Sequence, residues 1–231
     1  MTKWDKKILQ IVRKVNPDNP LQYVYNIVKE DARKKLDKQI LSCQHCSIHT
    51  DAKTITYGST FAKVLVVSGY MLPEQKRNNQ TTFPLIGTEY WNILEQTFNF
   101  YEIDQKDLFY INTVNCCPFL TIEDDIMFRI PTINEQKSCH QFLMRAIQII
   151  QPRFMIILGN VALNSLIKVS LEKVRGRVLD IMGIPSIATF DPDYLLRCKQ
   201  QDQDKYECEK NIFFADCEKI KEEIQKTKEQ L

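Results

Sequence analysis

The segment formed by residues 109–118 constrains the fold of this chain more than any other. Its first part is apolar and rich in aromatic and β-branched side chains, which is typical of a buried strand. The segment then ends in asparagine and two cysteines, Cys116 and Cys117. Ligands of open α/β sheets bind outside the carboxyl ends of the strands. We therefore expect this strand to end beside a functional site.

Three further apolar runs have the length and continuity of buried parallel strands. They span residues 63–69, 154–159 and 184–190. Helical patterns surround and separate them, beginning near Leu21, Tyr90, Asn134 and Asn160. This alternation predicts an α/β fold of three layers, α/β/α, with a central four-stranded, mostly parallel sheet.

A chain of 231 residues that is 44% hydrophobic can bury one sizeable core, so we expect a single domain over residues 1–231. Within it, residues 1–42 would form N-terminal helices, the first of them over residues 4–15. Residues 43–198 would form the core, with a mobile polar loop at 74–82. Residues 199–231 would hold a polar connector up to Lys205 and a helix from Ile212 onward.

Charge and hydropathy narrow the possible partners. Lys and Arg number 31 against 29 for Asp and Glu, a net charge of +2 that gives no global electrostatic case for nucleic acid. Any DNA-binding face must therefore be a local patch.

The sequence has no run of 18 apolar residues and no apolar N-terminal region, so we expect an intracellular protein, cytoplasmic or nuclear, that neither enters a membrane nor is secreted.

The eight cysteines favour ligation over disulfides in an intracellular chain. A short turn carries Cys43 and Cys46, and further cysteines follow in distant elements. Four thiolates suit an iron–sulfur cluster or zinc, and buried free thiols are the remaining alternative. Cys198, Cys208 and Cys217 lack suitably spaced partners, which favours packing or surface roles.

Several motifs occur in a specific order along residues 38–197. They are Cys43-x-x-Cys46, a strand ending in Gly69, Asn112-x-x-x-Cys116, Cys139, Leu-Gly-Asn-Val-Ala at 158–162, Arg175-Gly176 and Thr-Phe-x-Pro-x-Tyr-Leu-Leu-Arg at 189–197. In this order they resemble the iron–sulfur uracil-DNA glycosylases, family 4 of the uracil-DNA glycosylase superfamily. The resemblance implies a 4Fe-4S cluster held by Cys43, Cys46, Cys116 and Cys139, with zinc as the alternative and Cys117 as a competitor for Cys116.

Enzymes of this kind extrude a nucleotide from DNA, read its base and hydrolyse the N-glycosidic bond. The resemblance places Asn112 at the Watson–Crick edge of the base, although a strand-end asparagine can equally bond the local backbone. The other implied base-pocket residues are Gly69, Tyr70, Phe83 and Leu85. The resemblance also implies a DNA-probing edge, formed by Leu195 or Leu196 as an apolar wedge and Arg197 on a phosphate. A buried amphipathic turn is the alternative for the two leucines.

Both catalytic motifs depart from the family pattern. Tyr70 occupies the place of the usual acid and Asp191 the place of the usual histidine. Losing a positioned donor costs about 3 to 4 kcal/mol. An ionised Asp191 about 4 Å from the developing charge would add about 4 kcal/mol of repulsion at an effective dielectric near 20. Together these costs would abolish ordinary uracil excision.

Two routes would restore chemistry. Asp191 could be neutral in an apolar pocket and donate a hydrogen bond, or Asp193 or Glu74 could supply the missing carboxylate. The alternative interpretation of Asp191 and Asp193 is capping of the helix that begins there.

Three hypotheses about function follow. The first is a DNA-binding iron–sulfur protein of this superfamily whose glycosylase activity is absent or altered. The second is a working uracil-DNA glycosylase that uses a displaced carboxylate. The third is a non-catalytic accessory subunit that docks a DNA replication or repair partner. DNA, with uracil or a modified base, is the expected ligand in the first two.

Overall fold

The computed structural model describes residues 20–49, 53–73, 87–122 and 125–229. Four predictions lie outside these residues: the N-terminal helix over 4–15, the loop over 74–82, the carboxylate of Glu74, and the pocket residues Phe83 and Leu85.

The described chain contains a central six-stranded sheet and a separate hairpin. The strands of the sheet are β1 (Tyr57–Gly58), β2 (Val64–Tyr70), β3 (Leu108–Val114), β6 (Phe154–Leu158), β7 (Val178–Ile181) and β8 (Ile184–Thr189), and the hairpin pairs β4 (Phe119–Ile122) with β5 (Asp125–Phe128). The sheet order is β1-β3-β2-β6-β8-β7, in which β3, β2, β6 and β8 run parallel. The predicted α/β fold is confirmed, and its four parallel strands are extended by an antiparallel strand at each edge.

Helices cover both faces of this sheet. They are α1 (Pro20–Ser42), α2 (Glu89–Phe100), α3 (Ile133–Ile150), α4 (Gly159–Leu166), α5 (Leu171–Val174), α6 (Pro192–Gln201) and α7 (Gln203–Glu229). One apolar cluster joins the sheet to α1, α3 and α4, and a second joins the opposite face to α2, α6 and α7. Because both faces are covered, the parallel strands are buried along nearly their whole length. No helix in the described ranges is long and apolar enough to cross a bilayer.

Two predicted elements differ from the structure. The helix expected to continue from Asn160 to Leu171 ends at Leu166, and the side-chain oxygen of Asn160 accepts from the Leu171 amide 2.9 Å away. The connector expected over residues 199–205 is helical except at Asp202, where α6 ends and α7 follows. The Asp202 carboxylate accepts from the Lys205 amide at 3.0 Å, which starts the new helix at once. The polar composition here therefore marks exposed helical faces.

The strand order creates a topological switch point. Strand β2 lies between β3 and β6. The connection that leaves β2 leads to β3 on one side of it, whereas the connection that enters β6 leads from β3 to the other side of β2. A crevice forms outside the carboxyl ends of strands at such a point. Tyr70 at the end of β2, Gly159 after β6 and Asp191 after β8 all reach this crevice.

Candidate functional site

A cavity of about 460 Å³ opens at the carboxyl ends of β2, β6 and β8. Ligand sites of proteins commonly have volumes of about 300 to 1,000 Å³. Of the predicted pocket, catalytic and DNA-contact residues that the structure describes, five line it and three do not. Those that line it are Gly69, Tyr70, Asp191, Asp193 and Arg197, and those that do not are Asn112, Leu195 and Leu196. Tyr70 and Asp191 thus meet in one cavity although 120 residues separate them.

Tyr70 is half-buried at the end of β2. Burial raises the pKa of its phenol to about 12, and the nearby carboxylates of Asp193 and Asp191 act in the same direction. The side chain is therefore a neutral phenol at neutral pH. It presents an aromatic ring and one hydroxyl where the family resemblance implies a carboxylate.

Asp191 has two roles in the structure. Its Oδ1 accepts from the Asp193 amide at 2.9 Å and caps α6, with Pro192 at the first helical position. Its Oδ2 accepts from the Ser68 hydroxyl at 3.4 Å, and that hydroxyl lies 2.9 Å from the Tyr90 hydroxyl. Asp191 therefore caps α6 and also lies at the cavity.

The pKa of Asp191 is raised to about 7. Burial is the main cause and the Asp193 carboxylate adds to it, whereas the Asp193 amide and the Ser68 hydroxyl oppose it. Near neutral pH this carboxyl group is therefore divided between its neutral and ionised forms. Gly159 closes one side of it, because a Cβ on Gly159 would lie 2.9 Å from the Cβ of Asp191.

Helix α6 places the predicted DNA-probing residues in different environments. The Arg197 side chain is 55% exposed at the cavity, and its Nε lies 3.2 Å from Oδ2 of Asp193. Leu196 is partly buried. Leu195 is fully buried against the core, so it follows the alternative of a buried turn and does not present a wedge to DNA in this conformation.

An aromatic and charged wall completes the cavity, and sequence reasoning assigned Tyr194 to the DNA-probing edge but gave Arg175 and Phe190 no role in the site. The rings of Phe190 and Tyr194 lie 4.9 Å apart, and the Arg175 guanidinium stacks 4.8 Å from the centre of Phe190. Arg175 also donates to the buried carboxylate of Asp216 at 2.7 Å. Arg175 and Phe190 belong to the motifs that carried the family resemblance. Glu209 has no comparable signal, because it reaches the cavity from α7.

Asn112 is buried beside the cavity without lining it. It pairs with Ser68 in the register between β2 and β3, and its amide donates to the Thr54 hydroxyl at 3.0 Å. Its Oδ1 has no hydrogen-bond partner within the described residues. This leaves one acceptor of the side chain available, and the implied role in base recognition stays a prediction.

The four cysteines of the implied ligand set converge on one side of the sheet. Cys116 and Cys139 are buried in the apolar cluster that joins the sheet to α1, α3 and α4, and Cys139 lies on α3 itself. Cys43 and Cys46 pack against that cluster. Burial raises the pKa of the Cys139 thiol to about 12, with smaller contributions from Cys116, Cys46 and Cys43, as expected of neighbouring sulfurs. Cys117 acts electrostatically on Tyr70.

Backbone amides already point at two of these sulfurs. The amide of Asn115 donates to Cys139 and that of Ile48 to Cys46, and both bonds favour the thiolate. Such bonds are among the features that tune iron–sulfur sites. Among the described residues, no group of three or more His, Cys, Asp or Glu side chains is spaced to hold a metal ion. The four sulfurs are thus neighbours that are not gathered around one point.

Comparison with known proteins places the chain beside one protein family and a curated relative. A family profile described as "Uracil DNA glycosylase superfamily" matches residues 55–215 of this chain. A protein of Thermotoga maritima, described as a Type-4 uracil-DNA glycosylase, is 28% identical over 202 residues, which cover 86% of this chain and 97% of that protein.

Proposed function

Because this chain belongs to the uracil-DNA glycosylase superfamily, we propose that it binds DNA and accepts one extruded base in the cavity at the ends of β2, β6 and β8. Its ordinary uracil excision is absent or slow. The observation that carries this proposal is the meeting of Tyr70 and Asp191 in that cavity, at the two positions where the family resemblance implies the catalytic acid and histidine.

The chemistry of these two side chains supports loss of uracil excision. A phenol whose pKa is about 12 does not take a proton from water at neutral pH, so Tyr70 is a poor general base. Uracil leaves as an anion, and the ionised fraction of Asp191 repels that charge where the resemblance implies a donor. The same cavity keeps flat aromatic side chains on which a base can stack.

The raised pKa of Asp191 favours a second candidate, a glycosylase that works below neutral pH. In its protonated form Asp191 is a hydrogen-bond donor, as buried carboxylic acids are in other enzymes. Asp193 lines the same cavity, so its side chain is the candidate for the water-orienting carboxylate. This candidate requires an excision rate that rises as pH falls through 7.

We further propose that Cys43, Cys46, Cys116 and Cys139 hold a 4Fe-4S cluster. Their convergence and the two amide-to-sulfur hydrogen bonds fit a group larger than one ion, because a cluster separates its ligand sulfurs by its own iron and sulfide core. Such a group supplies a redox-capable cross-link. The chain's own contribution is to tie the end of α1 to the end of β3 and to α3.

The test is a pair of measurements on the same oligonucleotides. Binding to single- and double-stranded DNA, with and without one uracil, is measured at two salt concentrations, and release of uracil is followed at pH 5.5, 7 and 8.5. We expect binding that weakens with salt and no uracil release at pH 7 or 8.5. Fast release at neutral pH would contradict the leading proposal.

Two variants identify the groups responsible if uracil is released. Asp191→Asn keeps the helix cap, because asparagine caps as well as aspartate, but it cannot ionise. Asp193→Asn removes the other carboxylate. Release that rises at pH 5.5 in the wild type, becomes independent of pH in Asp191→Asn, whose amide also donates a hydrogen bond, and is lost in Asp193→Asn would establish the second candidate. Release with an unchanged pH dependence in both variants would exclude both carboxylates.

A further inference from the structure

The charge of the cavity wall points to the kind of base it accepts, an inference that rests on the proposed function. Among the described residues that line the cavity, four are acidic and two are basic. The acidic residues are Glu172, Asp191, Asp193 and Glu209, and the basic residues are Arg175 and Arg197.

Both arginines are already paired. Arg175 lies 2.7 Å from Oδ2 of Asp216, which is 3% exposed, and it stacks on Phe190. Arg197 lies 3.2 Å from Oδ2 of Asp193.

The remaining acids lack a balancing cation. Within the described parts of the chain, no lysine or arginine lies in ion-pair distance of Asp191, Glu172 or Glu209. Asp191 accepts from an amide and a hydroxyl, and Glu209 accepts from the Tyr194 hydroxyl at 2.9 Å. These partners are neutral. Among the described residues, three of the four cavity acids therefore have no ion pair, and Arg197 acts on Asp191 only from a longer distance.

Aromatic rings lie beside this charge. Tyr70, Phe190 and Tyr194 all line the cavity, and burial, with a smaller contribution from the adjacent carboxylates, keeps Tyr70 a neutral phenol by raising its pKa. A flat cation gains both from stacking on aromatic faces and from nearby carboxylates. A neutral pyrimidine gains only the stacking.

We propose that the cavity recognises a positively charged base, an N-alkylated purine such as 7-methylguanine. Alkylation at a ring nitrogen gives a purine one positive charge without changing its stacking surface, so such a base differs from guanine in the property that this wall selects. The volume of about 460 Å³ accommodates a two-ring base. The replacement of a donor by Asp191 is disadvantageous for uracil and favourable for a cationic ring.

The experiment measures the affinity of the full chain for three duplexes of one sequence, which carry 7-methylguanine, guanine or uracil at the same position. Fluorescence anisotropy is measured at pH 7, where a substantial fraction of Asp191 is ionised and the alkylated base keeps much of the positive charge that it loses with its N1 proton at higher pH. We expect the 7-methylguanine duplex to bind about tenfold more tightly than the guanine duplex. Equal affinities for these two duplexes would overturn the inference.

Charge-removing variants test whether the cavity carboxylates are responsible. Asp193→Asn and Asp191→Asn should each reduce the ratio of 7-methylguanine affinity to guanine affinity at least threefold. Glu207→Gln is the matched control, because Glu207 lies on α7 outside the cavity and pairs with Lys210 at 2.7 Å. A preference that both aspartate variants retain would overturn the inference.

Tyr70 offers an independent variant pair. Tyr70→Phe keeps the ring and should keep the preference, whereas Tyr70→Leu should lose most of it. A preference that survives in Tyr70→Leu would remove the stacking part of the argument and overturn the assignment of the site.

The duplex set also separates this inference from the proposed function. Tight binding to the uracil duplex without preference for 7-methylguanine would overturn the inference and leave the proposed function standing. Failure to bind any of the three duplexes would overturn both.

Discussion

Asp191 has two roles that usually belong to different side chains. It caps α6, and it supplies a carboxyl group to the cavity. The cap requires an acceptor oxygen, which the neutral and ionised forms both provide, so the cap does not depend on the charge of the group. The cavity chemistry, in contrast, depends on that charge.

This arrangement predicts how stability depends on pH. Asp191 has a pKa of about 7 in the folded protein, against an ordinary value of about 3.9 in unfolded chains. Between these values the folded state binds more protons, so the contribution of this group lowers the free energy of unfolding as pH rises from 4 to 7, by on the order of 3 kcal/mol. Asp191→Asn should therefore be more stable than the wild type at pH 8 and lose this advantage at pH 4.

Urea unfolding of both proteins at pH 4 and pH 8 checks this prediction. The control is Asp202→Asn, which alters the cap that accepts from Lys205 at the start of α7, outside the cavity. The difference between Asp202→Asn and wild type at the same two pH values gives the baseline for exchanging a capping aspartate. A difference for Asp191→Asn that does not change with pH beyond this baseline would contradict the raised pKa.

The ion pair between Arg129 and Glu135 has the opposite pH dependence. Two contacts of 2.6 and 2.7 Å join the side chains, and the Glu135 side chain is 5% exposed. Arg129 and the Thr132 amide lower the pKa of Glu135 to about 2 against the opposing effect of burial. The stabilisation is therefore present above the ordinary glutamate pKa of about 4.3 and is lost as pH falls towards 2.

Glu135→Gln should cost about 2 kcal/mol at pH 7, because it leaves a charged partner without its carboxylate. The cost should shrink as pH falls from 4 to 2, where the wild-type carboxylate also takes up a proton. Chemical denaturation at pH 7 and pH 3 measures both values. Glu207→Gln, at an exposed pair on α7, should cost less than about 0.5 kcal/mol at either pH.

At the scale of elements, the turn from β6 into α4 is constrained by close packing. Gly159 has φ +82°, and a Cβ at this position would meet the Cβ of Asp191 at 2.9 Å. Gly183 has a similar φ of +76°, but no atom lies within 4 Å of its Cβ position. At both positions a residue with a Cβ would strain the backbone, whereas only position 159 is also crowded.

Comparing alanine at these positions separates the two effects. Gly183→Ala should cost about 1 kcal/mol from backbone conformation alone. Gly159→Ala should cost at least about 1 kcal/mol more, because Asp191 must shift. It should also weaken DNA binding, whereas Gly183→Ala should not. Thermal unfolding measures the loss of stability, and fluorescence anisotropy measures DNA binding. Equal losses of stability in Gly159→Ala and Gly183→Ala would show that Asp191 moves aside at no cost.

Long, regular elements could be predicted from the sequence. The four parallel strands are continuous apolar runs, and α2 and α3 show helical periodicity. The pattern of apolar residues alone therefore predicts these elements. Strands β1 and β7 and the hairpin of β4 and β5 were missed. They have two to four residues each, and β7 is largely exposed, so they lack an apolar pattern. The turn of β7 into β8 uses Met182 at φ +56°, a non-glycine residue that gives no turn signal.

The residues of the cavity were harder to predict from the sequence than the fold was. Residues that follow strands, such as Tyr70 and Asp191, could be predicted because parallel strands end at one edge. Leu195 and Leu196 are adjacent in an apolar turn, and only their packing against α7 and the sheet shows that the first is fully buried. Glu209 lies on a helix whose rotation about its axis depends on contacts that the sequence alone does not specify.

At the scale of the whole molecule, the implied cysteine ligands connect segments that are distant in the chain. Cys43 and Cys46 follow α1, Cys116 follows β3, and Cys139 lies within α3. Helix α1 otherwise meets the core through Leu36, Ile40 and a few polar contacts, such as Lys29 with the Ile150 carbonyl at 2.8 Å. We therefore expect a bound cluster to determine whether α1 stays docked.

The purified protein should be brown and contain four irons per chain. Cys139→Ala and Cys43→Ala should lose the colour, and limited proteolysis should then cleave α1 before the sheet. Cys208→Ala, which removes an exposed thiol on α7, should change neither property. A colourless wild-type protein with one zinc per chain would contradict the cluster assignment.

The helix cap at position 191 also has an evolutionary consequence. Aspartate, asparagine, serine and threonine all cap helices with similar strength. Mutations among these four residues would therefore change the charge and hydrogen bonding of the cavity while α6 remains in place. Selection could adjust which bases the protein recognises at this position without first compensating for a damaged fold.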